Sequence, residues 1–205
     1  MRRGDTVILA AGDFPRRGGK AWRLLEGAKR VVACDSAADA YRRRFGRWPT
    51  VAVGDMDSAK AAAVAASGCH VVRMEGQDDN DLAKAVVHCR SEGWKNPVIL
   101  GACGKREDHM IGNVFRALDF GLEVVTDFGR FVPFCGAKTF RVRRGASISV
   151  FAPDSATRMT SRGLEWPLDR LSFANLYCAT LNRAVSSRVS LTADRPVSVY
   201  VALDG

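Results

Sequence analysis

Val98-Ile99-Leu100-Gly101-Ala102-Cys103-Gly104-Lys105-Arg106-Glu107-Asp108-His109 sets a short apolar run ahead of a loop that carries two glycines and two cations and then opens a helix. A strand that ends in a glycine-containing loop and passes into a helix is the repeating step of a parallel sheet, and the carboxyl ends of such strands form the ligand crevice. Outward from this stretch the same alternation recurs. Thr6–Ala10, Arg30–Cys34, Val51–Val53, Cys69–Arg73, Val98–Gly101 and Leu122–Thr126 read as strands, and the segments between them carry apolar residues at helical spacing. Ala59–Ser67 and Leu82–Arg90 are the clearest helices; in the second, Leu82, Val86 and Cys89 share one stripe.

Beyond residue 128 the helical period stops. Thr139–Val142, Ser147–Phe151, Arg188–Thr192 and Val197–Ala202 read as short strands between Gly, Pro and Asp turns. The expected architecture is α/β: a Rossmann-like domain with a parallel sheet over residues 1–128, then a small all-β sandwich over 129–205.

The 205 residues, 47% hydrophobic and 26% charged, exclude disorder and fibrous structure. No apolar stretch approaches the roughly 20 residues of a spanning helix, and the five apolar residues from Val7 to Ala11 are too few for a signal peptide, so a cytoplasmic protein without membrane contact is expected. Six cysteines stand singly, without the paired spacing of a disulfide framework or a zinc site. The net charge of +9 is scattered apart from short runs such as Arg42-Arg43-Arg44, and no aromatic-interleaved stripe marks a nucleic-acid partner.

Asp outnumbers Glu by 16 to 6, and five of the aspartates fall between residues 55 and 81. Asp55 and Asp57 leave the third strand; Asp78, Asp79 and Asp81 leave the fourth and enter a helix; Asp35 follows the second. Carboxylates gathered at one sheet edge repel one another unless a cation sits among them, and hard oxygen ligands facing phosphate describe Mg²⁺. Asp55, Asp57 and Asp81 are expected to hold the ion. The competing reading makes these residues turn formers and helix caps, with Ser58 and Asn80 or Asp81 capping the helices that follow. In the loop 101–108, Gly101 and Gly104 allow close approach of the backbone, while Lys105 and Arg106 suit phosphate oxygens.

Four of these segments together resemble the thiamine pyrophosphokinases. Asp35-Ser36-Ala37-Ala38-Asp39 is similar to that family's Asp-Gly-Gly-Ala-Asn, and Gly54-Asp55-Met56-Asp57-Ser58 to its Gly-Asp-Phe-Asp-Ser. Gln77-Asp78-Asp79-Asn80-Asp81-Leu82-Ala83-Lys84-Ala85 resembles Asp-x-Thr-Asp-Leu-x-Lys-Ala, and Gly104-Lys105-Arg106-Glu107-Asp108-His109 resembles Gly-Gly-Arg-x-Asp-His. Gly163-Leu164-Glu165-Trp166-Pro167-Leu168 looks like the segment that precedes the family's thiamine side.

The resemblance implies transfer of pyrophosphate from ATP to the hydroxyl of thiamine, with Mg²⁺ as cofactor, AMP as leaving group, and a homodimer whose site is shared between subunits. It implies Mg²⁺ at Asp55, Asp57 and Asp81, with Asp35 and Asp78 supporting the metal and phosphate region. Arg106 and the Gly101–Gly104 backbone would face the phosphates, and Asp81, Asp108 and Arg106 would lie at the reacting groups. Gln77 and Trp166 would contact thiamine, and Asn182 matches the Asn of a Ser-Asn motif. Lys105 stands where the family has glycine, and Leu181-Asn182-Arg183 where it has Ser-Asn-Glu, which removes a hydroxyl and reverses a charge.

Two other readings compete. Asp55-Met56-Asp57-Ser58 also resembles the nucleophile motif of haloacid-dehalogenase-type phosphatases, although that motif usually ends the first strand of its domain. A non-catalytic nucleotide-binding module would explain the charge but has no evident need for so many acids at one edge.

Overall fold

A computed structural model describes residues 5–54, 64–73 and 80–203. Asp55, Asp57, Gln77, Asp78 and Asp79, and most of the helix expected over 59–67, lie outside the described residues. The fold is mixed α/β. The chain divides into two compact units, one of Met1–Arg116 with Val124–Asp127 and one of Ala117–Glu123 with Phe128–Gly205.

The first unit holds strands β1 (Thr6–Leu9), β2 (Arg30–Cys34), β3 (Val51–Val53), β4 (His70–Val72), β5 (Val98–Leu100) and β6 (Val124–Val125). All pair in parallel, in the order β6-β5-β1-β2-β3-β4. A parallel sheet covered on both faces requires strands that are apolar throughout. The central strands meet that requirement: Val7, Ile8, Leu9, Val32, Ala33, Ile99 and Leu100 are all buried. Val7, Leu9, Val31, Ala33, Ala52 and Leu100 form one face, packed on Ala21 and Leu25 of α1 (Lys20–Glu26) and on Ala37, Ala38 and Tyr41 of α2 (Ser36–Phe45). Helix α3 (Asp81–Ser91) packs on β1, β2 and β3, and α4 (Glu107–Phe120) follows β5.

Two local features of the first unit follow from chemistry. Gly46 ends α2 in the left-handed conformation at φ 68°, where a glycine pays no Cβ penalty. His88 on α3 is buried with its ring stacked on His70 and edge-on to Trp94, and its Nε2 has no hydrogen-bond partner among the described residues.

The second unit is antiparallel, with β7 (Gly129–Arg141), β8 (Ser147–Phe151), β9 (Met159–Arg162), β10 (Ala179–Arg183) and β11 (Arg188–Ala202). Strand β11 is its spine: β7 runs along the whole of one side, and β8 and β9 take successive halves of the other. Strand β10 extends the ladder from β8. Strands β7 and β11 are longer than the sequence suggested; β11 reads in sequence as two strands because Asp194-Arg195-Pro196 reads locally as a turn. In the structure these residues are an irregularity in one strand, between Ala193 paired with Gly136 and Val197 paired with Phe134. The ladder resumes because inward residues on both sides, Val189, Leu191 and Ala193, then Val197, Val199 and Val201, reach the same core.

Phe173 lies outside any strand, yet it is fully buried at the centre of that core. Phe173→Ala is expected to lower the unfolding free energy by about 3–5 kcal/mol, while Tyr177→Ala, at an exposed position, should stay within about 0.5 kcal/mol; urea unfolding reads both. Burial lowers the pKa of His88 below its ordinary value of 6.5. The unfolded chain therefore takes up the proton first, so stability from this residue is complete above pH 6.5 and falls as the pH drops below it. His88→Phe should flatten the decline in melting temperature between about pH 7 and pH 5.

Candidate active site

Strand order in the first unit reverses at β1, which has β2 on one side and β5 on the other. At such a reversal the connections leave in opposite directions and a crevice opens beyond the carboxyl ends of the two strands. A cleft of about 810 Å³ lies there, lined by Ala10, Ala11 and Gly12 after β1, Cys34 and Ser36 after β2, Asn80, Asp81 and Lys84 at the start of α3, and the loop from Ala102 to Asp108 after β5.

The loops after β1 and β5 are bound together through their backbones. Ala10 N–H donates to Leu100 O at 2.8 Å, Gly12 N–H to Gly101 O at 2.7 Å, and Asp13 N–H to Cys103 O at 2.8 Å. This approach leaves no room for side chains. A Cβ on Gly12 would lie 2.4 Å from Cys103 O, and one on Gly101, whose φ is +65°, would lie 2.6 Å from Ala10 O. Lys105 also adopts a positive φ of 58°, the conformation natural to the glycine it replaces. Its Nζ donates to Ala11 O at 2.6 Å, which pins the loop tip across the cleft.

Arg106 and Asp108 form a two-pronged ion pair at the mouth of the same loop. Arg106 Nε donates to Asp108 Oδ1 at 3.0 Å and Nη2 to Oδ2 at 2.5 Å, and both side chains are exposed. The Arg106 hydrogen bonds hold the Asp108 carboxyl down at about 2. With Arg106 in this position, Asp108 is an ionised group and a weak proton acceptor.

Asp81 begins α3. The cap is Asn80, whose Oδ1 accepts from Ala83 N–H at 3.0 Å, so the Asp81 carboxylate is not the capping group. Lys84 Nζ stands 3.8 Å from Asp81 Oδ1, and its side chain is buried. The Cys34 thiol donates to Asp81 O at 3.5 Å; burial first, and then Asp81, push its pKa far up, so it stays a neutral donor. Asp35 has an unusual backbone for a non-glycine, with φ 43° and ψ −118°, and its N–H donates to Val53 O at 2.7 Å. Gly54 lies directly behind it, where a Cβ would meet Asp35 Cα at 3.2 Å. Strain of this kind places Asp35, exposed, at the carboxyl end of β2.

In the second unit, Trp166 is 54% exposed while Asn182 is 4% exposed. The Asn182 amide is committed to main chain: Oδ1 accepts from Trp166 N–H at 3.3 Å and Arg183 N–H at 2.8 Å, and Nδ2 donates to Trp166 O at 2.7 Å. Leu181, with φ +60°, is 85% exposed. Asn182 thus fixes the peptide groups of Trp166 and leaves the indole in the open.

The structure brings Asp81, Gly104, Lys105, Arg106 and Asp108 to one cleft and sets Asp35 at the neighbouring strand end; it places Trp166 and Asn182 side by side in the second unit. Among the described residues no cluster of three metal-ligating side chains occurs, and Asp55 and Asp57 lie outside those residues. Sequence reasoning missed Ala10–Gly12, Asn80 as a site residue, and Asn113. A glycine directly after an apolar first strand was a signal for the first group; a polar residue inside a helix offered none for Asn113.

Residues 21–125 match the family model of the thiamin pyrophosphokinase catalytic domain, and residues 129–200 that of the thiamin pyrophosphokinase substrate-binding domain. Among solved structures the fold is similar to thiamine pyrophosphokinase from Bacillus subtilis, with 18% identity, a TM-score of 0.70, and coverage of 96% of this chain and 98% of that one. It is similar also to a thiamin pyrophosphokinase family protein from Enterococcus faecalis, with 14% identity, a TM-score of 0.78, and full coverage of both chains at 100%. Thiamin pyrophosphokinase from Candida albicans matches with 12% identity, a TM-score of 0.76, and coverage of 98% and 90%. A search of curated protein sequences finds no match. With the catalytic-domain model covering more than half of its residues and the substrate-binding model directly following, the chain belongs to the thiamin pyrophosphokinase family.

Proposed function

We propose that the protein transfers the diphosphate group of ATP to the hydroxyl of thiamine, giving thiamine diphosphate and AMP. The observation that carries this reading is the β1/β5 cleft, which sets the cations Lys105 and Arg106 opposite Asp81 in a chain matched by both family models. We read the first unit as a Rossmann-like ATP- and Mg²⁺-binding domain, and the second as a β-sandwich that holds thiamine, with the boundary at 128/129. A homodimer sharing its sites between subunits, working in the cytoplasm, completes the proposal. Among the described residues no helix is long and apolar enough to cross a membrane.

In this reaction the thiamine hydroxyl gives its proton to a carboxylate, Asp81 or Asp108, and its oxygen bonds to the β-phosphorus, while the bond from that phosphorus to the bridging oxygen of the α-phosphate breaks and AMP departs with that oxygen. Such transfers need positioning and cations on the charged oxygens more than covalent help. Exposed Arg106 is placed to exchange Asp108 for phosphate oxygens, and the exchange would raise the basicity of Asp108, because Arg106 is what holds it low. The backbone from Gly101 to Gly104 gives the phosphates close access, and Lys105 adds charge where the loop tip crosses the cleft.

The hard carboxylate of Asp81, unused by the helix cap, fits Mg²⁺, and Asp55 and Asp57 would complete the set. Mg²⁺ bound there would neutralise phosphate charge. Asp35 and Asp78 support this region, and Gln77 joins Trp166 on the thiamine side. The exposed indole suits a cationic heteroaromatic ring, an attraction of about 0.5–2 kcal/mol, with Asn182 acting through Trp166. A phosphatase built on Asp55 would leave the Gly101–Asp108 loop without a task.

Arg106→Ala is expected to lower kcat/KM for ATP by about 10²–10³-fold, with Arg106→Lys recovering part, as read by AMP and thiamine diphosphate formed in equal amounts; an unchanged rate removes Arg106 from the mechanism. Asp81→Asn should abolish Mg²⁺-dependent turnover, as read by AMP formed across a Mg²⁺ titration, and should lower the melting temperature because the buried Lys84 loses its carboxylate. Asn182→Leu should raise KM for thiamine and leave KM for ATP in place, since the peptide groups it frees are those of Trp166 and the Arg183 N–H.

A further inference from the structure

Helix α3 carries Asp81, and the loop after β5 carries Lys105 and Arg106. Helix α3 is held by its packing on β1, β2 and β3 and by the Cys34 thiol bonded to Asp81 O, and two asparagine side chains link its start directly to the loop after β5. Asn113, in the second turn of α4, donates from Nδ2 to Ala102 O at 3.2 Å. Its Oδ1 accepts from Asn80 Nδ2 at 3.3 Å, and Asn80 Oδ1 accepts from Ala83 N–H at 3.0 Å. Asn80, Asn113 and Ala102 all line the cleft, and Ala102 is buried.

The direction of this chain of bonds is dictated by its ends. Ala83 N–H can only donate and Ala102 C=O can only accept, so each amide has one orientation that satisfies every bond. Asn80 must turn its oxygen to Ala83 and its nitrogen to Asn113; Asn113 must turn its oxygen to Asn80 and its nitrogen to Ala102. Rotating either amide by half a turn would set donor against donor or acceptor against acceptor. A bridge with one arrangement is a spacer of fixed length.

We propose that Asn113 and Asn80 are positioning residues for the nucleotide: their amide bridge holds the first turn of α3, with Asp81, at a set distance from the backbone of the phosphate loop. The inference rests on the ATP-dependent reading above and extends it to two residues that make no appearance in the phosphate or metal assignments. In-line transfer tolerates little displacement, and an error near 1 Å far from the chemistry costs on the order of 10²-fold. Neither residue needs to touch the reacting atoms for this effect, because the bridge acts on both sides of the cleft at once.

Two neutral variants isolate the bridge. Asn80→Ser keeps a hydroxyl that caps α3 but is too short to reach Asn113. Asn113→Ala removes both bridging bonds from a helix interior, where alanine is favourable. The experiment measures, for parent, single variants and double variant, KM and kcat with ATP and with thiamine, the Mg²⁺ dependence, binding of a non-hydrolysable ATP analogue with Mg²⁺ by calorimetry, and the melting temperature. The expected result is that each single variant weakens analogue binding and raises KM for ATP by about 10–100-fold, needs more Mg²⁺, keeps KM for thiamine, and melts with the parent. The double variant should lose no more than the worse single one, since one bridge is broken once.

Parent-like analogue binding and KM for ATP in both single variants would overturn the proposal. So would losses that multiply in the double variant, or losses that merely follow a fall in melting temperature. Should the parent form no thiamine diphosphate, the functional reading fails separately, and analogue binding still decides on the bridge.

Discussion

The backbone contact between the loops after β1 and β5 is the constraint on which the site depends. Three main-chain hydrogen bonds join Ala10, Gly12 and Asp13 to Leu100, Gly101 and Cys103, and they form only because Gly12 and Gly101 present no Cβ. The sheet order reverses at this point, so two connections that would otherwise cover the strand ends diverge and leave a cleft. Everything charged in the cleft is then hung from elements that are already fixed. Lys105 crosses to Ala11, Arg106 grips Asp108, and Asp81 rides on the capped start of α3.

Charge in the cleft is arranged in pairs. Arg106 and Asp108 satisfy one another, as do Lys84 and Asp81. An exposed pair of this kind contributes little to stability, so Arg106 gives up Asp108 at small cost. The buried Lys84 beside Asp81 differs, because a cation with little solvent depends on its carboxylate. The second unit offers a different surface: an open indole whose peptide groups are locked by a buried amide. Rigid main chain beneath an exposed ring leaves that ring little conformational freedom to lose.

Much of this was legible in the residues. The apolar runs at Val7, Val31, Val51 and Val98 marked the parallel strands, since strands buried on both faces must be apolar throughout. Gly101-Ala102-Cys103-Gly104-Lys105-Arg106 marked the loop that closes on the one after β1, because glycines mark any close backbone approach. The strand β11 was legible only in halves, because Asp194-Arg195-Pro196 has the local chemistry of a turn and the partner strand alone makes it a bulge. Asn182 matched a motif, yet its part in holding Trp166 depends on two segments sixteen residues apart lying side by side.

By itself the sequence determined the mixed α/β class, the parallel strands, and the residue types gathered at their ends, because burial period and glycine placement are local properties that each segment carries wherever it goes. Only the tertiary structure decided that Asn80 rather than Asp81 caps α3, that Arg106 pairs with Asp108, and that Asn113 reaches Asn80 and Ala102. The reason is geometric. A hydrogen bond is settled within tenths of an ångström and tens of degrees, and those coordinates exist only after distant segments have packed.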